Sequence, residues 1–155
     1  MKKYTLVIFL SLALFGCDQT SEVKDQTQLD GSGDLLALDK SEISESDKIL
    51  ETAFQDKQSN IQVQGVGTVA RLLADDNVGS RHQRFILSLA TEQTLLVAHN
   101  IDLATRIDSL QNDDVVEFFG VYEWNSKGGV IHWTHHDPKG IHVNGWLKHE
   151  NITYE

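Results

Sequence analysis

The sequence predicts a mainly β fold: five main strands, the first of them long, one helix between the third and the fourth, a short helix ahead of the first and a last short strand beyond the fifth. Three observations predict it. From residue 61 onward apolar and polar residues alternate in short runs, as strands with one buried face require. Clusters of Gly, Asp and Asn punctuate those runs. Apolar residues at helical spacing occur at 46–58 and at 102–110. The chain has 155 residues, 40% of them hydrophobic, which is enough for one domain with a buried core. A single Pro and a single Cys exclude Pro-rich and disulfide-scaffold classes.

In order along the chain, Ile49, Leu50, Ala53 and Phe54 recur at helical spacing behind Ser46, a candidate cap. Residues 61–73 alternate, interrupted by Gly65 and Gly67, which mark a bulge or bend. A turn at 75–79 precedes 82–90, where Phe85, Leu87 and Leu89 share one face and His82, Arg84, Ile86 and Ser88 the other. Residues 94–99 form a short apolar strand. Leu103, Ile107 and Leu110 then fall at i, i+4 and i+7, a helix over 102–110. Strand character returns over 113–124, with Val116, Phe118, Tyr122 and Trp124 set against Glu117 and Glu123. A glycine turn at 127–129 leads into a strand over 130–136, and a last short strand falls at 146–148. A long bent first strand, and a helix between strands three and four, is the order of a small OB-like five-stranded barrel. A mixed α+β meander is the alternative.

The N-terminus reads as an address. Lys2 and Lys3 precede an apolar run at 6–15 that ends in Gly16-Cys17, the layout of a signal peptide. That run is about half the ~20 residues a membrane-spanning helix needs. The stretch Leu14-Phe15-Gly16-Cys17 resembles a bacterial lipobox, so Cys17 is the expected lipidation site and the membrane a partner through its acyl chains. Asp18 leans the placement of this periplasm-facing lipoprotein toward the inner membrane. Residues 18–60 carry eleven acids and four bases, a net charge of −7. The expected organisation is a signal peptide at 1–16, an acidic disordered tether at 17–47 and one domain at 48–155.

Chemistry concentrates late in the chain. All seven histidines, His82, His99, His132, His135, His136, His142 and His149, follow residue 80. The dense group His132, His135, His136 and His142 is the candidate metal set, with Asp137 or Asp102 as an oxygen ligand. Imidazole suits a divalent transition metal such as zinc. On an extended strand His132 and His136 stand about 13 Å apart, too far for one ion unless the chain bends near His135. Neither an HExxH helix motif nor a Cys pair is present, and hydrogen-bonded packing is the plain alternative. A second set, His82, Arg84, His99 and Asp102, meets if strands 82–90 and 94–99 form a hairpin. Arg84 would then take a phosphate or carboxylate and His move a proton. Its alternative is helix capping by Asn100 or Asp102. Trp133 and Trp146 are candidate ligand-binding rings, with core packing as the alternative.

From Gln55 onward the phrases VQGVGTV (63–69), RHQRFIL (81–87), LLVAHNIDLA (95–104), VEFFGVYEWN (116–125), GGVIHWTHHDPKG (128–140) and GWLKH (145–149) resemble a bacterial family of exported proteins, domain of unknown function 3465. The chain departs from the family phrase at Thr105, where Pro is expected. The resemblance implies an OB-like fold and an exported or lipid-anchored location, and carries no activity with it.

Two functional readings follow. The first is an OB-like ligand-binding module with a His- and Trp-rich face. The alternative is a metal-assisted hydrolase of phosphodiesterase or nuclease type, using the histidines to hold the ion; a metal-handling protein without catalysis is a third. From Ile61 onward seven basic residues face twelve acidic ones, a net charge of −5. Non-specific nucleic-acid binding is therefore not expected, beyond a local patch at Arg81, Arg84 and Arg106.

Overall fold

The computed structural model describes residues 43–155. The signal peptide, Cys17, Asp18 and the tether up to residue 42 lie outside the described residues. Among those described, no helix is long and apolar enough to cross a membrane.

The first element is α1, Glu45–Gln55. Ser44, not Ser46, is its cap: the Ser44 hydroxyl accepts from the Asp47 N–H at 3.1 Å, which satisfies one of the orphan donors of the first turn. Glu45 and Asp47 add negative charge where the helix dipole favours it. Leu50 and Ala53 are buried. Buried Asp47 accepts from the Ala90 N–H at 3.2 Å, which pins the helix to the barrel.

Seven strands follow: β1 Ile61–Leu72, β2 His82–Ser88, β3 Thr94–Asn100, β4 Val115–Glu123, β5 Val130–His132, β6 Trp146–His149 and β7 Ile152–Tyr154. β1 pairs with both β2 and β4, β3 runs parallel to β5, and β5 is antiparallel to β4. The cyclic order β1-β2-β3-β5-β4-β1 closes a five-stranded barrel, as the sequence predicts. β6 and β7 extend the free edge of β4 as a hairpin; β7 has no counterpart among the expected elements. β1 slips register between Val69 and Arg71, the bend that lets one strand serve both sides of the barrel. Val69, Phe85, Leu87, Val97, Phe118, Tyr122 and Ile131 fill the interior.

Two expectations are corrected. Residues 101–114 form successive turns rather than a helix. Ile107 and Leu110 are buried, but Leu103 is 45% exposed, so the three do not share one face. Side chains take backbone groups that a helix would need: Asn100 Oδ1 accepts from the Asp102 N–H at 3.0 Å and Asp114 Oδ2 from the Gln111 N–H at 2.7 Å. The Gln83 amide on β2 takes over for the missing helical bonds: it donates to the Ile107 carbonyl and accepts from the Ile107 N–H, both at 2.9 Å. Left unpaired, each buried group would cost about 1–3 kcal/mol.

The strand expected at 130–136 stops at His132, because Trp133 adopts φ +53°. Two glycines make that exit possible. A Cβ on Gly120 would lie 2.5 Å from the His132 carbonyl oxygen, and one on Gly145 would lie 1.9 Å from that of Trp133. Residues 133–145 therefore leave the sheet and arch over one end of β3 and β5.

Candidate functional site

On the outer face of the barrel, β2 contributes His82, β3 contributes Ala98 and Asn100, and β5 contributes His132. Together with Leu103, Trp133 and His135 these residues line a cleft of about 280 Å³. The alternation of each strand decides the membership. Gln83, Val97, His99 and Ile131 point inward, so their neighbours His82, Ala98, Asn100 and His132 point out. The register places His82 opposite Asn100.

The rings are held from several sides. Trp133 stacks on His142, with centroids 3.8 Å apart and planes 22° from parallel. It tilts against His135 at 5.3 Å and against His132 at 6.2 Å. The His135 Nδ1–H donates to the His136 carbonyl at 2.7 Å, which leaves Nε2 as an acceptor when the ring is neutral. The Nε2 of His132 is buried and has no hydrogen-bond partner; the nearest carboxylate oxygen, Glu123 Oε1, is 3.8 Å away. Burial pushes the His132 pKa down, against the raising effect of Glu123.

Behind the cleft lies His99, fully buried. Its Nε2–H donates to the Thr105 carbonyl at 3.2 Å, and its Nδ1 accepts from the Thr134 hydroxyl at 2.8 Å. The ring thus ties β3 to both the 101–114 connection and the 133–145 arch. Burial lowers its pKa to about 4, more than those hydrogen bonds raise it. The arch is also wound around Asp137, whose carboxylate accepts from the N–H groups of His142 at 2.8 Å, Lys139 at 2.9 Å and Ile141 at 2.7 Å. Those donors, His142 first, hold its pKa down to about 2.

Of the residues singled out from sequence, His82, His132, His135 and Trp133 come together in the cleft. The rest stand elsewhere. Arg84 turns to the Ala74 carbonyl, with Nε at 3.1 Å and Nη2 at 3.0 Å. Asp102 is bound by Arg81, through its backbone N–H at 2.8 Å and Nε at 2.7 Å, which together lower its pKa. The hairpin that was to unite His82 and His99 forms, but adjacent strand positions put the two rings on opposite faces. His136 is exposed and accepts from the Asn144 amide at 3.1 Å. Trp146 packs against Phe119, 6.2 Å between centroids. His149 is buried, with Nε2 2.8 Å from Asp114 Oδ2.

The candidate metal set does not converge: among the described residues no group of three or more His, Cys, Asp or Glu side chains is arranged to hold an ion. His135 and His136 spend ring nitrogens on the arch itself, and His142 is stacked on Trp133. Asn100, expected beside His82 or as a helix cap, does line the cleft, whereas Ala98 and Leu103 have no part in the expected sites; the outward alternation of residues 94–100 is the signal that points to Ala98. A larger hollow of about 420 Å³ lies beside α1, between Glu51, Phe54, Gln93 and Lys127. It offers one aromatic ring where the cleft offers four.

The family model described as Protein of unknown function (DUF3465) matches residues 33–155. A search of curated proteins returned no match.

Proposed function

The chain belongs to this family of unknown function, DUF3465, and we propose that it is a periplasm-facing lipoprotein whose barrel binds a ring-sized ligand in the His/Trp cleft. One observation carries the reading: a recess of about 280 Å³ is lined by four rings, one of them His132, whose buried Nε2 lacks a hydrogen-bond partner. A buried polar atom without a partner is costly, and a ligand group that pairs with it recovers that cost. The position agrees, since the β2–β3 face of an OB barrel is one of the surfaces on which it takes ligands. The fold alone would not carry the assignment; the unpartnered nitrogen and the rings do.

Fragment mapping by NMR tests it. Ring-sized fragments are expected to shift the signals of His82, Asn100, His132 and Trp133. Hits gathered at the hollow beside α1 would remove the assignment.

The anchor rests on the apolar run before Cys17. Cys17→Ala is expected to release the protein from the membrane fraction and abolish incorporation of a labelled fatty acid. A variant that stays membrane-bound and still takes up label would refute the lipid anchor.

A further inference from the structure

We infer that the cleft takes an uncharged, hydroxyl-bearing ring, a sugar residue of a neutral glycan. This rests on the cleft being the binding site and goes further, to the chemistry of the ligand.

The lining contains no Asp, Glu, Lys or Arg. An anion would need a cation or a converging set of N–H donors, and the neighbouring cations are already engaged. Arg81 is paired with Asp102, and Arg84 with the Ala74 carbonyl. Arg106 lies between Asp75 at 3.1 Å and Asp108 at 2.8 Å. The surrounding domain is acidic, with a net charge of −5 from Ile61 onward. A nucleic acid would bring its flanking phosphates against that charge without releasing counterions.

The polar groups present are mixed in sense. The Asn100 Oδ1 accepts from the Asp102 N–H at 3.0 Å, so the amide turns its NH₂ donor to other partners. His135 Nε2 is an acceptor, and His132 Nε2 is the unpartnered atom. A hydroxyl both donates and accepts, so it answers either kind of group, whereas a phosphate oxygen only accepts. Beside these stand Ala98, Leu103 and the Trp133 ring, apolar surface suited to the C–H face of a sugar. His142 stacked on one face of the indole holds the ring in place before any ligand arrives, which reduces the ordering cost of binding.

The test is an NMR titration of the purified protein at neutral pH. The probes are two uncharged tetrasaccharides, of N-acetylglucosamine and of glucose, and two anions, oligothymidylate and a heparin tetrasaccharide. An uncharged tetrasaccharide is expected to move the His82, Asn100 and His132 signals. His132→Leu should weaken that binding tenfold or more with the unfolding midpoint unchanged or raised, because the buried nitrogen it removes makes no hydrogen bond in the fold. If only the anions move those signals, the neutral-glycan inference falls and the cleft survives as a binding site. If the tetrasaccharides move signals elsewhere, or neither class moves any, the inference falls; fragment mapping then decides separately whether the cleft assignment falls with it.

Discussion

Phe118→Ala is expected to lower the unfolding free energy by about 3–5 kcal/mol. Phe118 is fully buried at the middle of β4, between Gly65 on β1 and Leu147 on β6. Its ring lies over the bare backbone of Gly65, so closely that a Cβ there would come within 2.6 Å of the ring. The two positions are complementary: one strand gives up a side chain so that the other can place a phenyl ring across it. Removing the ring leaves a void above a residue that has no atoms with which to fill it. Cavities that cannot collapse fall at the expensive end of the large-to-small range. Against a total of about 5–15 kcal/mol for an ordinary domain, the loss is a large fraction. Denaturant unfolding, followed by far-UV circular dichroism, measures it; a loss below about 1 kcal/mol at unchanged slope would refute this account of the core.

Acidification from pH 7 to pH 4 is expected to cost about 3 kcal/mol through His99 alone. The sign follows from the direction of the shift. Burial holds the folded pKa near 4, below the ordinary 6.5, so the unfolded chain binds the proton first. Stability is therefore full above about 6.5, declines as the pH falls toward 4, and levels off below it. His132, whose pKa is also lowered by burial, acts in the same direction. Asp137 acts in a separate window: its carboxylate is held near 2 against an ordinary 3.8, so its contribution is present above about 4 and lost toward 2. The difference between the wild type and His99→Gln isolates the buried ring, since an amide can replace both the bond from Thr134 and the bond to Thr105. The variant is expected to lose much of the pH dependence between 6.5 and 4. Parallel curves for the two proteins would show that His99 takes up its proton equally well folded and unfolded.

The strands were legible because alternation is a local property. Phe85 and Leu87 against Arg84 and Ile86, or Val116 and Phe118 against Glu117, require only that one face be buried and the other wet. The barrel closure was legible at one remove, from the length of the bent first strand and the order of the elements. The helix at 102–110 misled for an instructive reason. Leu103, Ile107 and Leu110 have helical spacing, but a connection that buries two apolar anchors separately produces the same spacing. What decides between them is Gln83, which lies on another strand and supplies the hydrogen bonds that a helix would have made internally.

Composition and local pattern, then, determined by themselves the mainly β class, the strand positions and the concentration of imidazoles after residue 80. Which imidazoles meet was decided by the tertiary structure alone. His82 and His132 share a cleft because β3 lies between β2 and β5, and that neighbourhood comes from strand pairing across tens of residues of chain. His99 is excluded from the cleft by one position of register, which turns its ring inward. His135 joins the cleft because Trp133 leaves the strand at a positive φ, past two glycines, Gly120 on β4 and Gly145 just ahead of β6. Spacing along a chain measures separation on one element, whereas a site is assembled by the packing of several.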